Sequence, residues 1–151
     1  MVLAGAVGMM IAPHILVGHD GSRDAETAFE EALDLAALAR ARLSVVSVAS
    51  PPEPPTEVET QAAIEAATAH YEKLFESLRR QAQERHVELR THVLVGHPAD
   101  QILKTATAHR ADLIVVGHRG RSAIREWVSG STSRRGVSHA NGPVLVVRAR
   151  R

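Results

Sequence analysis

Along this chain, short apolar runs take turns with longer stretches whose apolar residues recur at helical spacing. His14 to Gly18 (H-I-L-V-G) has the length and character of a buried strand and ends at H-D-G-S. After Ser22, which can cap a helix, Ala25, Phe29, Ala32, Leu33, Ala36 and Ala39 form one apolar stripe. Leu43 to Ala49 is rich in β-branched residues and predicts a second strand. Ser50 to Thr56 (S-P-P-E-P-P-T) is excluded from regular structure, because each proline removes a donor and restricts the residue before it. A long helix is predicted over about Glu57 to Arg85, with Ile64, Tyr71, Leu74, Phe75 and Leu78 on its apolar face. Val87 to Val95 predicts a third strand, and Gly96 and Pro98 then break the chain. Pro98 suits the first helical position of a helix over Ala99 to His109, built on Ile102, Leu103 and Ala106. Leu113 to Val116 is a fourth strand, Ser131 to His139 a short helix, and Pro143 to Arg148 (P-V-L-V-V-R) a fifth strand.

Strands alternating with helices imply a parallel sheet covered on both faces. The expected architecture is a single doubly wound α/β domain over residues 13–149, strand order 3-2-1-4-5, with about four helices. Residues 1–12 are expected to form a disordered extension, since the apolar run there lacks a preceding basic residue and is too short to span a membrane. In such a sheet the ligand crevice lies at the carboxyl ends of the strands, where the order reverses. The residues meeting there are His19-Asp20-Gly21-Ser22 and Gly117-His118-Arg119-Gly120.

Composition narrows the partners. The 151 residues are 44% hydrophobic, enough for a real core. Lys and Arg number 18 against 17 Asp and Glu, a balance that offers no electrostatic case for nucleic acid or an anionic membrane. The absence of cysteine removes disulfide and thiol chemistry and fits a cytoplasmic protein. Nine histidines invite a metal reading, but none pairs at zincin spacing, and they read as scattered surface residues.

The chemistry concentrates between Val115 and Ser133. Glycines fall there as Gly117-x2-Gly120-x9-Gly130-Ser131, between a strand and a helix start. Helix starts present free backbone N–H groups to anions, and glycine lets the backbone approach a phosphate without a Cβ in the way. Ile124, Trp127 and Val128 within the x9 stretch are expected to anchor the loop. Asp20 has two readings, a ligand-binding carboxylate or an Asx-type residue holding its own turn. If the His19 or His118 ring points inward, it narrows the pocket or stacks on a base.

The G-x2-G-x9-G-[S/T] spacing, together with D-G-S after the first strand and G-H-P at Gly96 to Pro98, resembles the universal stress protein family, over His14 to Arg148. The resemblance implies a cytoplasmic, ATP-binding regulator of the stress response. Asp20 would meet the adenine–ribose end and Val48 would contact adenine. Gly117, His118, Arg119, Gly120, Gly130, Ser131 and Thr132 would line the ribose and phosphates. ATP is the first expectation, with AMP, ADP or a cyclic nucleotide as alternatives and Mg²⁺ as an accompanying ion. The resemblance also implies a homodimer paired through Val144, Leu145, Val146 and Val147, an apolar edge that would otherwise expose unpaired backbone. Two rival readings keep the fold: a dimeric interaction protein without nucleotide, and a weak ATPase or phosphotransferase. The second lacks a clear general base, since Glu126 is the only acid in the loop. No P-loop, no G-x-G-x-x-G after the first strand and no G-x-S-x-G elbow is present.

Overall fold

The central strand explains the layers on either side of it. In a computed structural model, which describes residues 12–51, 54, 56–118 and 142–150, β1 (His14–Gly18) is buried along its whole length. Successive strand side chains point to opposite faces, and β1 uses both. Ile15 and Val17 enter one core cluster, and Leu16 enters another. The neighbours repeat the division. In β2 (Arg42–Ala49), Leu43 and Val45 go one way and Val46 and Val48 the other. In β4 (Leu113–Gly117), Val115 is separated in the same manner from Ile114 and Val116. With β3 (Leu89–Val95) and β5 (Val144–Val147) at the edges, all pairings are parallel and the order is β3-β2-β1-β4-β5. The strand order matches the sequence expectation.

Helices α1 (Arg23–Ala39) and α2 (Glu57–Glu84) cover the first face. Ala25, Ala28, Phe29, Ala32, Leu33 and Ala36 make the buried stripe of α1, whereas Ala39, expected in it, is exposed because the helix ends there. Tyr71, Phe75 and Leu78 of α2 pack against it. Full burial of side chains of this size stabilises the fold by about 1.5–3 kcal/mol each. Helix α3 (Pro98–Ala108) covers the second face with Ala99, Ile102 and Ala106, and Pro98 occupies the predicted first-turn position. Three helices are thus present among the described residues. The expected helix over Ser131–His139 and residues 1–11 of the expected extension lie outside them. No helix among the described residues is long and apolar enough to cross a membrane.

All three helices end alike. Ala41, Val87 and Ala111 donate backbone N–H bonds to Ala36, Ala82 and Ala106 at 2.9, 2.9 and 2.8 Å, closing Schellman-type turns. The left-handed residues are Arg40, His86 and Arg110. The third strand therefore begins at Leu89 and not at Val87, which closes the end of α2.

Two histidines depart from the surface reading. His14 and His19 lie at either end of β1 and are 3% and 0% exposed, because the central strand is covered on both faces. The His14 pKa is lowered, by burial first and then by Arg42 and His109, and burial likewise lowers that of His92. Both folded values fall below the unfolded value of 6.5, so the unfolded chain takes up these protons first. Stability is therefore expected to fall as pH drops through that value. Urea midpoints at about pH 7.5 and about pH 5.5 check this, with a flatter dependence expected for His14→Gln.

Candidate functional site

The carboxyl ends of β1, β2 and β4 meet at one crest of the sheet. Gly18 pairs with Val46 on one side and Val116 on the other. The ladder runs one residue further through the His19 N–H, which donates to the Val46 carbonyl at 2.9 Å. Ser47 Oγ donates to the His19 carbonyl at 2.5 Å and ties the ends of β1 and β2 together. Ser47 is fully buried and was not identified from the sequence, where it reads as one more strand residue.

Beyond His19 the chain turns sharply, with Gly21 at φ +83°, a value that disfavours any side chain. Asp20 Oδ1 accepts from the Ser22 N–H at 2.9 Å, and Ser22 Oγ accepts from the Ala25 N–H at 3.2 Å. The first bond is an Asx turn and the second an N-cap, so the turn reading of Asp20 holds. It does not exhaust the group, because a carboxylate offers roughly four acceptor directions. The half-buried side chain of Asp20 sits where the crest opens.

His19 goes the other way. Its ring packs edge-on against Phe29 of α1, with centroids 6.5 Å apart. Its Nδ1 accepts from the Gly21 N–H at 3.1 Å, which places the ring proton on Nε2, 3.6 Å from Glu26 Oε1. That contact lowers the Glu26 pKa despite partial burial. His19 therefore braces the turn from beneath and neither narrows the crevice nor stacks within it.

On the β4 side, Gly117 pairs with Val147, and the His118 N–H donates to the Val147 carbonyl at 2.8 Å. The ladder between β1 and β4 ends at the Gly18–Val116 pair, and Asp20 and His118 each follow it by two residues. Arg148 Nη2 donates to His118 Nε2 at 3.1 Å, leaving the ring proton on Nδ1. Gly117 has a reason within the protein to be glycine. A Cβ there would lie 2.9 Å from Ala25 N, Asp24 C and Asp24 Cβ, so the start of α1 rests directly on the end of β4. Asp24, also missed from sequence, is buried and accepts the Ala149 N–H at 3.1 Å.

Val48 is 3% exposed and packed beside Ala99, Ile102 and Val116, which leaves chiefly its backbone at the crest. Arg119, Gly120, Gly130, Ser131 and Thr132 lie outside the described residues. The structure thus brings Asp20, Val48, Gly117 and His118 to one end of the sheet. Among the described residues, no group of three or more His, Cys, Asp or Glu side chains is placed to hold a metal ion.

Charge divides this crest. Asp24 and Glu26 lie in the first turn of α1 and Asp20 just before its cap, where the Ala25 and Glu26 N–H groups bond the Ser22 hydroxyl and carbonyl oxygens. The carboxylates of that half suit groups that donate hydrogen bonds, such as hydroxyls and amines. His118 and Arg148 mark the half where an anion is tolerated.

Solved structures share this architecture. Universal stress protein UspA from Lactobacillus plantarum superposes with a TM-score of 0.71 at 28% identity, covering 92% of this chain and 99% of that one. Three others of the same fold carry nucleotides. One is a universal stress protein in complex with cAMP (24% identity, TM-score 0.66, 89% of this chain and 96% of that one). Another is from Archaeoglobus fulgidus in complex with dAMP (24%, 0.56, 92% and 99%). The third is from Arabidopsis thaliana with AMP bound (17%, 0.63, 91% and 92%). Among curated relatives, universal stress protein YxiE of Bacillus subtilis is 31% identical over 146 residues, 89% of this chain and 97% of its own. Two more, MJ0531 of Methanocaldococcus jannaschii and a universal stress protein of Thermus aquaticus, match over only 45% and 41% of their own lengths. Residues 12–148 match the profile of the Universal stress protein family, and the chain belongs to that family.

Proposed function

We propose that this protein binds an adenine nucleotide in the crevice between the ends of β1 and β4 and acts as a cytoplasmic, dimeric regulator of the stress response. The observation that carries the reading is that Asp20 and His118 each lie two residues beyond the last β1–β4 pair, Gly18–Val116, at the reversal point of a parallel sheet. The division of charge orients the ligand. Ribose hydroxyls or the adenine amine lie at Asp20, with adenine along the Val48 backbone. The phosphates extend from Gly117 and His118 toward Arg119, Gly120, Gly130, Ser131 and Thr132. The nucleotides carried by proteins of the same fold support an adenine ligand. ATP with Mg²⁺ is the fullest ligand this arrangement serves, and AMP, ADP and a cyclic nucleotide are its smaller relatives.

Calorimetric titration with AMP, ADP and ATP, with and without Mg²⁺, tests the reading, and no measurable affinity for any of them rejects it. Asp20→Asn keeps an oxygen for the Ser22 N–H but replaces a charged acceptor. Its nucleotide affinity is expected to fall about tenfold with the fold intact. An unchanged affinity removes Asp20 from the site.

The dimer rests on β5, which pairs only with β4 among the described residues and leaves Leu145 38% exposed. A paired edge would satisfy the open backbone groups and cover these side chains. Light scattering at micromolar concentration is expected to give the mass of two chains, and Leu145→Lys to give one. A wild-type monomer would remove the dimer from the proposal.

A further inference from the structure

At the opposite end of the sheet, where β1, β2 and β3 begin, lies a cavity of about 230 Å³ that the nucleotide reading does not use. Its polar lining is His14, Arg42, Ser44, Arg90 and His109. These residues are dispersed along the sequence, and the parallel register gathers them. His14, Arg42, Ser44, Arg90 and His92 all point to the α3 face of their strands, and His109 follows the end of α3. The rings are close, with His14 and His109 centroids 6.4 Å apart and His92 and His109 5.4 Å apart.

Two polar nitrogens in this cluster, one of them a guanidinium donor, lack partners among the described residues. Arg42 Nε and His92 Nε2 are both shielded from bulk solvent and have no hydrogen-bond partner among the described residues. A guanidinium presents its donors in a fixed fork suited to oxyanions. Arg90 uses Nε for Glu88, at 3.4 Å, which leaves its terminal nitrogens. The anionic side chains nearby are Glu88, committed to Arg90, and Asp112, whose Oδ2 accepts the His14 backbone N–H at 2.8 Å. Arg110, in the turn after α3, adds a further cation to this end.

We propose that the amino-terminal end of the sheet carries a second binding site, for a small divalent oxyanion such as the phosphate group of a metabolite, held by Arg42, Arg90 and the His14–His109–His92 cluster. His14 Nδ1 lies 3.1 Å from the His109 carbonyl and Nε2 lies 2.7 Å from Ser44 Oγ. In the neutral ring Nδ1 donates to that carbonyl and Ser44 donates to Nε2. Protonation reverses the second bond, turns the ring into a cation and frees the Ser44 hydroxyl hydrogen for a ligand. Burial and the neighbouring cations hold His14 and His92 neutral to lower pH than usual. A bound dianion offsets that repulsion, so anion and protons bind together and the site strengthens as pH falls. The site lies on the order of 13 Å from the crest along β1, so it is distinct from the nucleotide crevice.

The test is titration of sulfate into the nucleotide-free full chain, at about pH 7.5 and about pH 5.5, followed through the histidine ring signals by NMR. Sulfate keeps both charges over this range, so any pH dependence belongs to the protein. Saturable shifts are expected at His14, His92 and His109, with affinity at least about tenfold higher at the lower pH. Arg42→Gln is expected to lose about tenfold in sulfate affinity while binding AMP as the wild type does. Arg90→Gln serves the same purpose if Arg42→Gln does not fold. Shifts confined to His118 and His19, equal shifts from sodium chloride at matched ionic strength, or wild-type sulfate affinity in the folded variant would each overturn the proposal. Failure of AMP to bind bears on the crest alone and leaves this result readable.

Discussion

Phe29→Ala is expected to lower the unfolding free energy by about 3–5 kcal/mol, the range for emptying a large buried aromatic site. Phe29 is fully buried in the cluster between α1 and the face of the sheet formed by β1, β2 and β4. Few neighbours can refill the space, since the stripe around it on α1 is mostly alanine. The loss should appear as a fall of about 1 M or more in the urea midpoint at unchanged slope. Leu38→Ala, at a position 83% exposed, provides the contrast and should stay within about 0.5 kcal/mol of wild type. Phe29 also supports the His19 ring, so nucleotide affinity should weaken in the surviving folded fraction. A loss of stability no larger than that of Leu38→Ala would show that α1 does not depend on this residue.

Gly117→Val is expected to cost at least about 1–3 kcal/mol, and for a reason unrelated to phosphate. Its Cβ would collide at 2.9 Å with Asp24 and with the Ala25 nitrogen. Those are helix backbone atoms and the first side-chain atom of a buried residue, so the start of α1 has to move as a whole. Because Asp20 and Ser22 lead directly into that turn, nucleotide binding should fall along with stability. The collision involves Cβ alone, so Gly117→Ala should already show most of the effect. Gly18→Ala is the control. Its Cβ would meet Ile102 Cδ1 at 2.6 Å and Val116 Cγ1 at 3.3 Å, side-chain ends and not helix backbone, and its cost should be smaller. Denaturant midpoints of the three variants decide the order. If Gly117→Ala keeps full stability and loses only nucleotide affinity, the glycine serves the ligand and not the packing.

The strand cores could be read from sequence because burial on both faces demands unbroken apolar runs, as in Ile15 to Val17 and Ile114 to Val116. The helix stripes were legible through their spacing, down to Pro98 opening α3. The helix ends were less so. Glycine is the usual left-handed residue after a helix, and Arg40, His86 and Arg110 take that role here, so no sequence signal marked them. At the crest, D-G-S gave both the Asx turn and the cap. The direction of the His19 ring depended on strand phase past the last ladder pair, and the duty of Gly117 depended on a helix that begins far away in sequence. The amino-terminal cluster was invisible for a similar reason, since only the register of three strands brings His14, Arg42 and Arg90 together.

The burial of β1 between β2 and β4 has a use in measurement. Amides of Leu16, Val17, Val115 and Val116 are locked in the middle of the ladder, so they exchange with solvent only when the whole domain opens. A ligand bound to the folded state alone makes that opening rarer in proportion to its occupancy. Deuterium uptake at these four amides, which touch no ligand, therefore reports whether any pocket on the molecule is filled.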